Sequence, residues 1–484
     1  MSSEAAPASR KWFAFAAVGT TFLLVVASTA FSLLALPVIA DDFDVTLSVV
    51  GWVVIVESLI IAALLLPLGR LSDVVGRHRT LRVGVAIFAL GLVLTGFAPT
   101  FALLIIARIV TALGNTLVQA VGTGIIVAAF PSEERGLALG AQTTAVAVGA
   151  AAGPLLGGLL LDVVSWQAIF IGLAVPTAGA LAIAFWALGP DTLQDPALSS
   201  RFDLAGALLA SLFITVLVFS LNDPLGFGLL SPATLVAALI AAVLLFAFVR
   251  VELAHESPML DLGLFRVPEF RQGAFIRLVS FTASTSILFL TPIYFLGVRE
   301  LNARSAGALL SLFAVGLTVS SQVAGRLYDR LGPRIPVAAG LLIQVGVLLL
   351  LATIDLESSI FLLAVAIIGN GLGQGLWNVA ANSMIIGAVP SASFGVGGAF
   401  INVNRTVGSV VGQAGATAIV AGVMSSRGFD IPLGDLLENP GADEAFIGGW
   451  SATYVVGAIS TVAILAVALF TGLRSKDAVA VTPG

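Results

Sequence analysis

Fourteen apolar stretches follow one another along this chain, and each is long enough to need a solvent other than water. They are read at 12–40, 49–68, 83–99, 102–127, 137–161, 168–188, 204–221, 232–250, 272–296, 306–324, 336–354, 359–387, 397–424 and 450–472. A helix needs ~20 apolar residues to cross a hydrocarbon core. Charged residues make up 10% of the 484, where roughly a quarter is usual in water-soluble domains. The reading is an all-α polytopic membrane protein of about fourteen transmembrane helices. Barrel strands, which alternate over ~10 residues, are excluded. Cysteine is absent and histidine occurs twice, at His78 and His255, which excludes thiolate chemistry and a metal cluster. No cofactor, enzymatic activity or nucleic-acid partner is expected, and no nucleotide-binding Gly-x-x-x-x-Gly-Lys-Ser/Thr loop is present.

Six spans precede residue 190, two lie in a more polar middle, and six follow residue 272. The expected division is an N-terminal six-helix half at 1–190, a connector with two additional helices at 191–271, and a C-terminal six-helix half with a short tail at 272–484. With the N-terminus in the cytoplasm, sixteen of the 22 Lys and Arg fall on the cytoplasmic side, including Arg10, Lys11, Arg70, Arg77, Arg79, Arg82, Arg135, Arg201, Arg326, Arg330, Arg334, Arg474 and Lys476. Positive charge stays inside, so both termini are expected in the cytoplasm of a multi-pass cell-membrane protein, with no cleaved signal peptide.

The segment Gly69-Arg70-Leu71-Ser72-Asp73-Val74-Val75-Gly76 returns 256 residues later as Gly325-Arg326-Leu327-Tyr328-Asp329-Arg330-Leu331-Gly332, identical at five of eight positions. Each copy ends the second span of a six-span set, the mark of two similarly oriented halves with a substrate path between them. Continued through Arg77, His78 and Arg79, the first copy resembles the signature loop of the major facilitator superfamily, and the resemblance implies a cytoplasmic latch. In the fifth span, Gly149, Gly153, Pro154, Gly157 and Gly158 form Gly-x-x-x-Gly-Pro-x-x-Gly-Gly, similar to the signature of that superfamily's proton-coupled antiporters. Physically, small residues four apart allow close helix packing and the proline bends the helix. Phe202-Asp203-Leu204-Ala205-Gly206 and Pro258-Met259-Leu260-Asp261-Leu262 resemble connectors of the fourteen-span drug:proton antiporter family. That resemblance implies efflux of hydrophobic or amphipathic compounds against protons.

The chain departs from that family in its acids. The family's first-span acid, seven positions before Ala35-Leu36-Pro37, is replaced by Ser28, and Glu57 stands where the family has tyrosine. In the fourth span Thr111 and Ala112 replace a Gln and a Gly after Arg108. Glu57 lies about 12 Å into the second span, counted from Val49 at 1.5 Å per residue. An acid in hydrocarbon faces a cavity or a partner, and desolvation favours its protonated form. Glu57 is therefore the candidate proton carrier; the alternative is a permanent ion pair with Arg108.

Arg108, Thr111, Asn115 and Gln119 share one helical face. Arg277, Ser280 and Ser284 repeat the spacing on the ninth span; Asn370, Gln374, Asn378 and Asn382 follow beside Trp377 on the twelfth; Ser28 and Ser32 mark the first. These are the candidate substrate-cavity residues, with interhelical hydrogen-bond glue as the alternative for the serines and threonines. Asn402, Asn404 and Arg405 on the thirteenth span are read as structural or gating. The expected partners are a small-molecule substrate, protons and the lipid bilayer, with the chain acting as a monomer. Rival readings are a dedicated metabolite or lipid carrier, working as symporter or uniporter, and a non-transporting membrane sensor.

Overall fold

The computed structural model describes residues 8–161, 163–189, 191, 203–222, 231–255, 258–429, 439 and 441–470; the side chains of 8–10, 47–48, 153–159, 161, 222, 303–304 and 470 are not described. Arg201, Arg474 and Lys476, and the side chains of Arg10 and Arg304, thus lie outside the described residues.

The described elements are helical throughout. The N-terminal six are α1 (Ala8–Asp42), α2 (Trp52–Val75), α3 (Arg77–Gly96), α4 (Phe101–Ala129), α5 (Arg135–Leu161) and α6 (Trp166–Ala187), with a short turn at Leu47–Val50 before α2. The additional pair is α7 (Leu204–Asn222) and α8 (Pro232–Ala254). Then follow α9 (Pro268–Ile293), α10 (Ala303–Leu331), α11 (Arg334–Ala352), α12 (Ile360–Ala388), α13 (Phe394–Ser426) and α14 (Ala442–Phe470). Among the described residues, thirteen of the fourteen long helices have the length and apolar composition to cross a membrane; the other, α5, contains the undescribed side chains 153–159.

Local chemistry sets the helix ends. Side chains of Thr100, Ser165, Ser231, Asn302 and Ser359 each accept a backbone N–H in the first turn of the helix that follows, satisfying a donor that has no intrahelical partner. Pro232 and Pro268 occupy first turns, where a missing N–H costs nothing. Pro292 sits just before a π-helical turn, Tyr294–Val298, which carries the ninth span to Val298, slightly past its expected end at 296.

The two signature segments are not loops. Gly69 to Val75 continues α2, and Gly325 to Leu331 continues α10; only Gly76 (φ 110°) and Gly332 (φ 78°) break the chain. Both glycines adopt backbone conformations that a side chain would strain. The helices run on because their glycine faces pack directly on the opposite half, which replaces the loop solvation expected from their charge.

Each half is tied internally at the end opposite these segments. Trp166 Nε1 and Gln167 Nε2 of α6 both donate to Asp42 Oδ2 of α1, at 2.8 Å each. In the other half, Trp450 Nε1 donates to Leu351 O (2.8 Å) and Tyr294 Oη to Asp355 O (2.8 Å). Separate apolar cores accompany these ties: Phe88, Leu92, Leu104, Trp166 and Phe170 in one half, Ile287, Tyr294, Leu351, Phe446 and Trp450 in the other.

The additional pair sits on the outside. Ser211 Oγ of α7 donates to Ala63 O of α2 at 2.6 Å, and Ile214 and Val218 pack on Ala62 and on Val410 of α13. Only 11% of the most apolar window of α8 is buried, so this helix faces lipid over most of its surface.

At the arginine-rich end, α5 meets α10 backbone to backbone. A Cβ at Gly140 would lie 2.5 Å from Ser321 O, and one at Gly325 would collide with Gly136 O. A bulkier residue here overpacks the contact at a cost of about 1–3 kcal/mol. Gly140→Val is expected to shift the equilibrium toward separation of this end by roughly tenfold or more. The shift is measurable as a longer distance between spin labels on introduced Ser132→Cys and Arg330→Cys, since the chain has no cysteine of its own.

Candidate functional site

Glu57 is buried in the second turn of α2, nearer the helix start than the span reading placed it. Arg108 Nη2 of α4 forms an ion pair with its Oε2. Asn115 Nδ2 donates to its Oε1 at 3.1 Å, and Thr29 Oγ1 of α1 does so at 3.3 Å. Arg108 is itself wholly buried, and its guanidinium lies 5.6 Å from the centre of the Phe170 ring. A charge pair in this setting persists because each ion answers the other, with Asn115 and Thr29 adding hydrogen bonds on the carboxylate side. Arg108 Nε and Nη1 have no hydrogen-bond partner.

The amide ladder continues from this pair toward the opposite half. Gln119 Nε2 donates to Asn115 Oδ1 at 2.7 Å, Arg405 Nη2 of α13 donates to Gln119 Oε1 at 3.0 Å, and Asn402 Nδ2 donates to Gln119 O at 3.1 Å. Two amide side chains one helical turn apart, Asn115 and Gln119, thus join the carboxylate of one half to a cation of the other.

Arg277 of α9 makes a different cluster. Its Nη1 contacts the side-chain oxygens of Asn378 and Asn382 on α12, and its Nη2 donates to Ile401 O at 2.9 Å. Among the described residues no carboxylate pairs with it. Above it, Ser284 Oγ donates to Asn370 Oδ1 (2.9 Å) and Gln374 Oε1 (2.5 Å). Trp377 is fully buried, with its ring edge-on to Phe281 at 4.9 Å and its Nε1 without a partner.

The serines and threonines divide. Ser32 Oγ donates to Ser28 O, and Thr111 Oγ1 to Ala107 O, both within their own helix. Thr111 also lies against Gly91 of α3, where a Cβ would approach its N to 2.5 Å, so it sits at a helix contact apart from the Glu57 cluster. Ser28 Oγ and Ser280 Oγ are buried without partners.

The signature segments form matching locks. Asp73 accepts from Gly395 N (2.9 Å) and Val396 N (3.0 Å) at the start of α13. Asp329 accepts from Gly136 N and Leu137 N, both 2.9 Å, at the start of α5. Helix N-termini carry unsatisfied N–H groups and partial positive charge, so a carboxylate is the natural partner. Arg77 Nε holds Asp73 Oδ1 at 2.7 Å while Arg77 Nη2 reaches Ser391 O and Ala392 O at 2.8 Å. Gly69 packs on Ala399 and Gly395, as Gly325 does on Gly136. All of these cross-half bonds lie between the arginine-rich end and the level of Gln119.

Other members of the signature look elsewhere. His78 N and Arg79 N both donate to Asp191, which caps α3 within one half, and a Cβ at Gly76 would collide with that carboxylate. Arg326 is exposed, and Arg70 is buried against a different group of charges. In α5, Gly149 fits tightly on α1, where a Cβ would lie 2.5 Å from Leu23 O; the side-chain surroundings of Gly153, Pro154, Gly157 and Gly158 lie outside the described residues.

Thr29 was missed in the sequence, although Ser28 beside it was singled out; a one-residue difference is 100° on a helix, and only the relative rotation of α1 and α2 decides between them.

Two outcomes follow from these contacts. Removing one member of a buried ion pair costs about 3–5 kcal/mol because the other charge is left alone. Arg108→Gln is therefore expected to lower thermal stability in detergent more than the double variant Glu57→Gln/Arg108→Gln does, giving a positive coupling in a double-mutant cycle. Asp73→Asn and Asp329→Asn each weaken two hydrogen bonds to a charged acceptor, worth about 1.5–3 kcal/mol apiece. Each variant should populate a form separated at the arginine-rich end, seen by the same spin-label distance, and the double variant should do so most.

The model of the Major Facilitator Superfamily matches residues 17–413. The multidrug resistance protein Stp of Mycobacterium tuberculosis is 30% identical over 394 residues, spanning 81% of this chain and 72% of that one. The riboflavin transporter RibZ of Clostridioides difficile is 29% identical over 384 residues, 79% of this chain and 82% of its own. The multidrug efflux pump LfrA of Mycolicibacterium smegmatis is 29% identical over 446 residues, 92% and 87% of the two chains. Among solved structures, the human organic anion transporter MFSD10 superposes with a TM-score of 0.65 over 94% of this chain and all of that one, at 14% identity, a likeness of fold. With two six-helix halves, a repeated signature and two helices between them, this chain belongs to the Major Facilitator Superfamily of membrane transporters.

Proposed function

We propose that this transporter exports hydrophobic or amphipathic small molecules in exchange for protons, with Glu57 as the proton carrier. The observation behind the reading is the contact chain from Glu57 through Asn115 and Gln119 to Arg405. It links a buried carboxylate to the surface where the halves meet. Protonating Glu57 removes the charge that Arg108, Asn115 and Thr29 converge on. Asn115 is then free to turn, Gln119 loses its donor-acceptor alignment, and the hold on Arg405 weakens. A proton taken up from the far side would in this way loosen the closed end.

The arginine-rich end is the cytoplasmic one in this reading, with both termini inside, so the described conformation is closed toward the cytoplasm. The halves are assigned to 1–190 and 272–484, with 191–271 as connector, and a single chain suffices for transport. Ser28, Ser280, Ser284, Asn370, Gln374 and Trp377 offer polar and aromatic contacts to a bound compound, and Arg277 with Asn378 and Asn382 a cationic one. Likeness to Stp and LfrA supports efflux of several compounds. Likeness to RibZ favours a second reading, a carrier for one metabolite.

Internal pH in proteoliposomes, followed while a panel of hydrophobic cations, neutral compounds and anions is added, tests the proposal. Several unlike compounds should drive proton movement through the wild-type chain, and Glu57→Gln should abolish it. Coupling that survives Glu57→Gln removes Glu57 from the mechanism and leaves the pair with Arg108 as a fixed one. Proton movement with one narrow compound class supports the single-metabolite reading.

A further inference from the structure

A second pair of carboxylates lies away from the Glu57 cluster, on the two additional helices. Asp203 precedes α7 and is 2% exposed; Glu252, in the last turn of α8, is 3% exposed. Asp203 Oδ1 accepts from Gly206 N at 2.8 Å, and Glu252 Oε2 accepts from Leu260 N at 3.1 Å. The other oxygen of each, Asp203 Oδ2 and Glu252 Oε1, is buried without a hydrogen-bond partner. Those two orphan oxygens converge on one spot, since a Cβ built on Gly206 would strike both. Two buried acceptors within reach of one point lack a donor, which a hydrogen on one of them would supply to the other.

Charge leads to the same conclusion. Among the described residues, the charged and titratable groups facing the pair are Arg70 of α2, whose guanidinium acts electrostatically on Glu252, and His255, whose Nε2 stands 4.0 Å from Asp203 Oδ1. Arg70 is 5% exposed and its Nε has no partner. Two ionised carboxylates against one arginine leave a net negative charge in a buried site, which is costly. One proton on the pair balances the site and satisfies both orphan oxygens at once. Protonating His255 would balance the charge but leave Oδ2 and Oε1 without a donor, because His255 approaches the other oxygen of Asp203. Among the described residues no three acidic, histidine or cysteine side chains converge as a metal ion would require.

We propose that Asp203 and Glu252 bind one proton between them, Glu252 Oε1–H donating to Asp203 Oδ2. The shared proton pins the start of α7, the end of α8 and the connector at Leu260 together. Its loss presents Arg70, within the gate segment, with two negative charges in place of one. The additional helices thereby report proton activity at the arginine-rich end to the gate, whichever compound the central site carries.

Infrared titration of the protein in lipid nanodiscs tests this, with 13C-labelled glutamate carboxyls to identify the band. The wild-type chain should show a protonated-carboxyl stretch near neutral pH that shifts on glutamate labelling and disappears at alkaline pH. Glu252→Gln should remove that band, and Asp203→Asn should remove it or move its frequency, because the hydrogen-bond acceptor has changed. A band unaltered in Glu252→Gln, or unaltered in both frequency and pH midpoint in Asp203→Asn, overturns the proposal. If Glu252→Gln does not fold, labelled Glu57→Gln protein decides, since Glu252 is then the buried glutamate that remains among the described residues. A labelled band there at neutral pH supports the shared proton, and its absence overturns it. Neither result depends on whether the chain transports protons.

Discussion

A carboxylate inside a helix bundle surrounded by hydrocarbon has no water to fall back on, and the arrangement of this protein follows from how its buried charges are answered. Glu57 of α2 is answered by Arg108 and Asn115 of α4 and Thr29 of α1. The alternative to that convergence is an unpaired ion in a medium of low dielectric, whose cost is a large share of the stability of an ordinary domain. The helices α1, α2 and α4 therefore have one rotational setting that satisfies the charge. The polar face of α4 that results is the face that reaches across to α13.

The same logic is applied twice at the arginine-rich end, with backbone in place of side chains. Asp73 and Asp329 each take two N–H groups from the first turn of a helix in the opposite half. The repeat in the sequence thus becomes a pair of reciprocal bolts, each half holding the other by the same device. The glycines that accompany the aspartates bring the helices close enough for the bonds to form.

Much of the fold was legible in the sequence because hydrocarbon imposes length and apolarity on every span, and the repeat placed the two halves. All fourteen helices fall where the apolar runs do. The signature segments were misread as loops because Arg70, Arg77 and Arg330 look solvated in sequence, whereas packing of Gly69 and Gly325 keeps the helices going. Residue types and spacings placed Arg108, Thr111, Asn115 and Gln119 on one face and offered Arg108 as a partner for Glu57, and contacts join Glu57 to Arg108, Asn115 and, through it, Gln119. Their pairing was not, since nothing local distinguishes Thr29 from Ser28. The partners of Asp73 are backbone amides, which every residue possesses, so only the packing of α2 on α13 selects Gly395 and Val396. Asp203 was legible only as part of a connector segment and Glu252 not at all, because acids are ordinary at helix ends and only the fold brings the two together at Gly206.

The ties at the far end, Trp166 and Gln167 on Asp42 in one half and Trp450 and Tyr294 on the Leu351–Asp355 segment in the other, stay within their own halves. A body laced at one end and bolted to its neighbour at the other behaves as a lever. For halves that move as rigid bodies, whatever the bolts yield at the arginine-rich end would be returned, with its sign reversed, as an approach of the two far ends about the Gln119–Arg405 level. The far-end ties store none of that motion, because they join helices that travel together. Access on the two faces is then a single mechanical coordinate, and a compound at the middle of the lever meets one opening or the other without any gate needing to sense it separately.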